Sequence, residues 1–170
     1  MITIEEVRGL GEILKAYQWE LNIIPPSLVA QTIGSDLIRL YADSASIPSI
    51  ASGQIPVASG GHTVNYAGKA EYNQQWTVQL RAYEDLNTFR LLRDWHGLQW
   101  DRRTGAQYPK ADYEAVAVEV YLTDSFKNRL QTFSIYGAYL AMIGEVPLDY
   151  NANSAIAIPC TFTYDWMNQE

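Results

Sequence analysis

The sequence predicts a mainly β fold, a small antiparallel sandwich or barrel with one flanking α-helix. Three observations carry this reading. Several segments alternate apolar and polar residues with a period of two. A single segment breaks that period with apolar residues three apart. Seven or so such strands with one helix fit this architecture.

Thr3 and Glu6 have the spacing of a capping box ahead of Val7, Leu10 and Leu14, which predicts a short helix from about Ile4 that Gly9 and Gly11 end early. In YQWELNI, Tyr17, Trp19, Leu21 and Ile23 face one way, a half-buried strand that Pro25 and Pro26 stop. DLIRLYADS, from Asp36 to Ser44, reads as a second strand with Ile38, Leu40 and Ala42 on one side. In QWTVQLRAY, Trp76, Val78, Leu80 and Ala82 form one face. The three-residue recurrence of Leu86, Phe89, Leu92 and Trp95 marks an amphipathic helix of about three turns, with Asp85 or Asn87 as N-cap. YEAVAVEVYL groups Val116, Val118, Val120 and Leu122. RLQTFSIYGAYLAMIG is a long extended run that should bend at Gly137. AIAIPCTFTYDW stacks Ile156, Ile158, Cys160, Phe162, Tyr164 and Trp166, with Pro159 restricted to an edge or non-donating position.

One stretch fits neither pattern. From Ser44 to Gly68 the chain carries no charge, yet it holds Ile47, Ile50, Ile55, Val57, Val64 and Tyr66 among Pro and Gly residues. A disordered tether would be charged and poor in Ile and Val. These apolar residues therefore need cover, from the chain's own sheet or from another copy. The stretch is expected to be an assembly loop within a single domain over residues 1–170, because nothing marks a second composition regime.

Composition sets limits on function. The 170 residues are 48% hydrophobic, with 12 basic and 19 acidic side chains and a net charge of −7. An acidic chain is not built to grip nucleic acid by neutralising phosphates, although it can let nucleic acid pass. One cysteine allows no internal disulfide. The acidic start lacks the layout of a signal peptide, and no apolar run approaches the ~20 residues that span a bilayer, so a soluble subunit without stable membrane insertion, made in a cytoplasm, is expected.

The residues offer little chemistry. GLGEIL at Gly9 lacks the third glycine and the preceding strand of a dinucleotide site. SGGHTVNYAGK lacks the spacing of a phosphate loop. His62, His96 and Cys160 do not have zinc-ligand spacing, so no metal and no cofactor are expected. Cys160 reads as a small buried hydrophobe. Glu84, Asp85, Asp94 and Asp101 read as turn and helix-start acids in preference to catalytic carboxylates. Five Trp and twelve Tyr on a β scaffold would suit a sugar platform, but most fall on inward faces, which favours core packing. No enzyme emerges.

The order of phrases adds a resemblance. GEILKAYQWELNI, SASIPS, GHTVNYAGKAEYNQQWTVQL, DRRTGAQYPKADYEA, IYGAYLAMIGEVPLDYN and FTYDW together resemble the tail tube proteins of contractile-tailed bacteriophages, collinearly and over nearly the whole chain. That family is related to the tubes of contractile injection systems. The resemblance implies a non-catalytic structural protein whose subunits form hexameric rings with one continuous inner β-barrel. The rings would stack into a tube inside a sheath and conduct a genome through the bacterial envelope; phage-derived relatives conduct effectors instead. Its partners would be further copies of itself, the tail sheath protein, baseplate and tail terminator proteins, and DNA passing without sequence-specific binding. Its place would be the virion tail, assembled in the host cytoplasm. Ile47, Pro48, Ile50, Ile55 and Val57 become the stacking loop. Glu20, Thr161, Thr163 and Asp165 are lumen candidates because they oppose apolar faces, while Glu119 and Arg81 fit either a lumen or an intersubunit face. A monomeric ligand-binding β domain is the alternative of a different class.

Overall fold

A computed structural model describes residues 4–5, 12–33, 38 and 41–170. Ten strands run through these residues: β1 (Trp19–Ile24), β2 (Ala42–Ala45), β3 (Ile50–Ser59), β4 (His62–Tyr72), β5 (Gln75–Arg81), β6 (Ala117–Thr123), β7 (Arg129–Tyr136), β8 (Tyr139–Ile143), β9 (Ala157–Thr163) and β10 (Trp166–Gln169). Three helices lie wholly within the described residues: α1 (Ser27–Ile33), α2 (Asn87–Gly97) and the single turn α3 (Lys110–Tyr113).

All pairing is antiparallel. The first sheet has the order β1-β6-β7-β10 and the second β2-β5-β9-β8, while β3 and β4 pair only with each other. The period-two faces meet between the two four-stranded sheets. Leu21, Ile23, Val118, Val120, Phe133, Ile135 and Met167 come from the first; Trp76, Val78, Leu80, Leu140, Ile158, Cys160 and Phe162 come from the second. Phe162 sits at the centre, its ring centroid 5.5 Å from both Trp76 and Trp95. Burial pushes the Cys160 thiol up to about 12, as desolvation of a thiolate requires.

Helix α2 seals one margin of this core with Thr88, Leu91, Leu92 and Trp95. The sequence reading placed Leu86 and Phe89 on that stripe, but both are exposed. A strict three-residue step drifts around a helix of 3.6 residues per turn, so the buried set follows the i, i+3, i+4, i+7 pattern instead. Neither expected N-cap holds that position. Leu86 does, in a left-handed conformation (φ 57°), while Asp85 accepts hydrogen bonds from the Asn87 backbone N–H and side-chain amide.

Other expectations need correction. Asp36–Ser44 is not one strand: Ile38 and Tyr41 are helical and buried, and pairing starts at Ala42. A helix, α1, follows Pro25-Pro26, since proline suits a first helical turn as well as it stops a strand. Val116, Ile156 and Trp166 lie outside the buried faces assigned to them. Trp166 is exposed because the chain turns at Asp165, whose N–H donates to the Tyr136 carbonyl, and enters the first sheet as β10 with Met167 inward. The expected Gly137 bend is present at φ 66°, where the chain leaves β7 of one sheet for β8 of the other. Pro159 sits at the end of the β8 ladder, its carbonyl accepting from Gly144 N–H, where no donor is required of it. The expected N-terminal helix at Thr3–Leu14 falls mostly outside the described residues, as does Leu40; Ile4 and Glu5 are helical and exposed, and residues 12–15 have no regular structure.

Candidate assembly surfaces

The uncharged stretch forms most of a long β-hairpin. Gly60 (φ 59°) and Gly61 (φ 82°) form a two-residue turn with both residues at positive φ, the backbone that lets two strands continue without splaying. Register runs from Ile50↔Tyr72 to Ser59↔His62, with one irregularity between Ser52 and Gln54. There Gly68 crosses Gly53 so closely that a Cβ on Gly68 would lie 2.9 Å from the Gly53 carbonyl oxygen. Beyond that crossing, Ile55 pairs with Tyr66 and Val57 with Val64, so all four side chains share one face. They are 47–59% exposed.

Neither four-stranded sheet supplies cover for this face. Ile47 and Ile50 are exposed too, whereas Pro48 is buried within its own chain. A two-stranded hairpin gains little stability by itself in water. Here it displays a row of apolar side chains, and the arm has no charge from Ile50 to Gly68.

The four lumen candidates separate. Glu20 lies half-buried on the outer face of the first sheet, opposite Tyr121. Thr161 and Thr163 lie on the outer face of the second, opposite Thr77 and Gln75. The sandwich core separates these faces, so both cannot line one channel. Asp165 stands outside β9 and β10 and pairs with Lys110. The outer face of the second sheet carries Gln75, Thr77, Gln79, Thr161 and Thr163, with Arg81 and Asp43 paired to each other at one end. Glu119 belongs to the other sheet. It accepts hydrogen bonds from Tyr121 Oη and Asn22 Nδ2, while the Arg129 guanidinium lies 3.7 Å from the Tyr121 ring centroid. The Tyr121 hydroxyl, ahead of the Asn22 amide, holds the Glu119 carboxyl below its usual range.

Asp101 has a local structural role. Asp101 accepts from the backbone N–H of Arg103 and from the Thr104 hydroxyl, bonds that hold its carboxyl below the usual range, the hydroxyl most. His62 is at the hairpin tip and His96 near the end of α2. Among the described residues no three His, Cys, Asp or Glu side chains are grouped to hold a metal, and no helix is long and apolar enough to cross a membrane.

With its two antiparallel sheets and few helices, the chain has the fold of chains from contractile injection system assemblies. Three solved structures carry the likeness. A chain of the PVC sheath–tube complex, from an extracellular contractile injection system in its extended state, aligns over 100% of this chain and 99% of its own, with TM-score 0.63 and 12% identity. A chain of the PVC sheath/tube terminator aligns over 95% and 99%, with TM-score 0.68 and 13% identity. A chain of the anti-feeding prophage cap, which terminates a tube, aligns over 94% and 92%, with TM-score 0.65 and 13% identity. No protein-family model and no curated protein sequence matches the chain.

Proposed function

We propose that the protein is a structural subunit of the inner tube of a contractile tail: hexameric rings, stacked into a conduit and enclosed by a sheath. The observation that carries this reading is the uncovered apolar face of the hairpin, Ile55, Val57, Val64 and Tyr66, on a fold shared with proteins of sheath–tube assemblies. Such a face needs a partner, and an arm without charge can be buried without stranding an ion. Among the described residues the sheets also end in unpaired edges, β1 and β10 in one and β2 and β8 in the other. Closure of the subunits' sheets into one barrel removes edges that would otherwise recruit strands at random.

The lumen face is the outer side of the second sheet, where Thr161 and Thr163 join Gln75, Thr77 and Gln79. A lining of hydroxyls and amides lets DNA slide, whereas a basic lining would hold it through counterion release. Glu20 is accordingly placed away from the lumen. The chain acts without catalysis, and its other partners are the sheath, baseplate and terminator proteins.

Three of the structural neighbours belong to an injection system and an anti-feeding prophage. On that observation a second reading stands beside genome delivery, a tube that carries effectors. Nuclease treatment of intact purified particles separates them. Protected DNA filling the tube supports the conduit for a genome; tubes with protein cargo and no protected DNA support the second reading. The tube reading itself is tested by purifying the chain and imaging it, with rings and tubes expected and saturable glycan binding by uniform monomers as the contrary result.

A further inference from the structure

Leu86 and Phe89 stay outside the buried face of α2, and the charge around them is unlike that of the rest of the molecule. From Leu86 to Lys110 the chain carries Arg90, Arg93, Arg102, Arg103 and Lys110 against Asp94 and Asp101. The rest of the chain holds seven basic and seventeen acidic side chains, so positive charge is concentrated in one segment of an acidic protein. Local structure leaves most of it unneutralised. Asp101 is turned into its own loop, accepting from the Arg103 N–H and the Thr104 hydroxyl. Asp94 approaches Arg93 at 3.7 Å, a pairing of little strength between exposed side chains. Among the described residues Arg90, Arg102 and Arg103 have no ion-pair partner.

Two clefts lie on this surface, and Arg93 lines both. One, of about 460 Å3, is bordered by His96, Trp100, Arg102 and Tyr108. The other, of about 400 Å3, is mainly apolar, with Leu86, Phe89 and Ile143 beside Arg90. Leu86, Phe89, Trp100 and Tyr108 are all exposed. The loop after α2 is fixed where Trp100 pairs with Gln107 and the Asp101 N–H donates to the Ala106 carbonyl at 2.9 Å, which leaves Arg102 and Arg103 exposed between them. Guanidinium groups match carboxylates in shape as well as charge. Apolar clefts beside basic residues suit a helix that is apolar on one face and acidic on the other. Nucleic acid suits these surroundings less. Its phosphates continue beyond any one cleft, and here they would meet Glu84 and Asp85 before α2 and Asp112 and Glu114 after Lys110.

We infer that this surface docks an acidic amphipathic segment of a partner protein, with carboxylates on Arg93 and Arg102 and apolar side chains in the cleft of Leu86 and Phe89. The inference goes beyond the tube reading and stands without it, because the surface shares no residue with the hairpin or with the outer face of the second sheet.

Fluorescence anisotropy tests it, with a labelled synthetic helix that has Glu on one face and Leu on the other as the probe. The unmodified chain should bind this helix saturably, and about tenfold more weakly when salt rises from about 0.05 to about 0.5 M. Arg93→Glu combined with Arg102→Glu should weaken binding by about tenfold or more, and Phe89→Ser should weaken it at both salt concentrations. A matching helix with Lys in place of Glu should prefer the arginine double variant to the unmodified chain. Circular dichroism checks the folding of each variant. Arg93→Gln with Arg102→Gln, which only removes the two charges, replaces a reversal variant that does not fold and should also weaken binding. Undiminished binding by a folded double variant, or tighter binding of oligothymidylate than of the Glu helix, overturns the docking. Loss of rings and tubes in the folded double variant would assign the surface to contacts between copies, and overturns it too. Binding of the Glu helix by a chain that forms no rings leaves this inference standing and overturns the tube reading instead.

Discussion

Glu119 shows how a single polar residue is tied into a sheet face. Its carboxylate accepts from Tyr121 and Asn22, and these bonds depress its pKa below the ordinary 4.5. The charged form is the one the native state favours, so the stabilisation is complete above pH 4.5 and is lost as pH falls through the depressed native value. Glu119→Gln should cost about 1 kcal/mol at pH 7, or about 2–4 °C in Tm. The difference from wild type should shrink as pH falls from 4.5 toward 3, measured by thermal melting across that range. An unchanged Tm at pH 7 would contradict the role. The two histidines should behave in the opposite way: His62→Gln with His96→Gln should leave melting, assembly and particle function intact, and loss of function by normal tubes would expose a missed chemical site. At this scale the sequence revealed inward residues well, because alternation marks Trp76, Val78, Ile158, Cys160 and Phe162 directly. It did not reveal that Glu20 and Thr161 belong to opposite faces of the sandwich, since strand order is a long-range property.

Elements were legible where one pattern prevailed. β1, β5, β6 and β9 have clean alternation, and α2 has its own period. The hairpin was read as a loop because Gly53, Pro56, Gly60, Gly61 and Gly68 punctuate it, although the Gly60-Gly61 pair between apolar residues is a turn signal. Asp36–Ser44 misled because β propensity is a weak guide where tertiary packing decides. Gly137 tests the switch between sheets. A Cβ there would meet the Asp165 carboxylate, and φ 66° disfavours any side chain. Gly137→Ala should destabilise by about 1–3 kcal/mol, seen as a lower Tm in a chain that still folds. Wild-type melting would mean that the backbone there relaxes freely. For the hairpin, Ile55→Asp should leave circular dichroism and melting near wild type while stopping tube growth, because a carboxylate buried at each copy of an interface costs several kcal/mol. Unfolding of the variant would place Ile55 in a core, and normal tubes would mean that the hairpin face is not an interface.

The whole molecule makes sense as a repeating part. Its core between two sheets is closed by α2, yet among the described residues it leaves an exposed hairpin face and four sheet edges. In a ring and stack those surfaces have partners, and symmetry repeats each contact at every copy. The collinear phrases resemble the same class of protein at the level of sequence, and the fold is shared with chains of contractile injection assemblies at 12–13% identity. The most direct test is electron microscopy of the purified chain. The account predicts six-fold rings with an open lumen, and tubes of stacked rings at higher concentration. A preparation that stays uniformly monomeric at 19.2 kDa at every concentration, with its hairpin face still exposed, would contradict it.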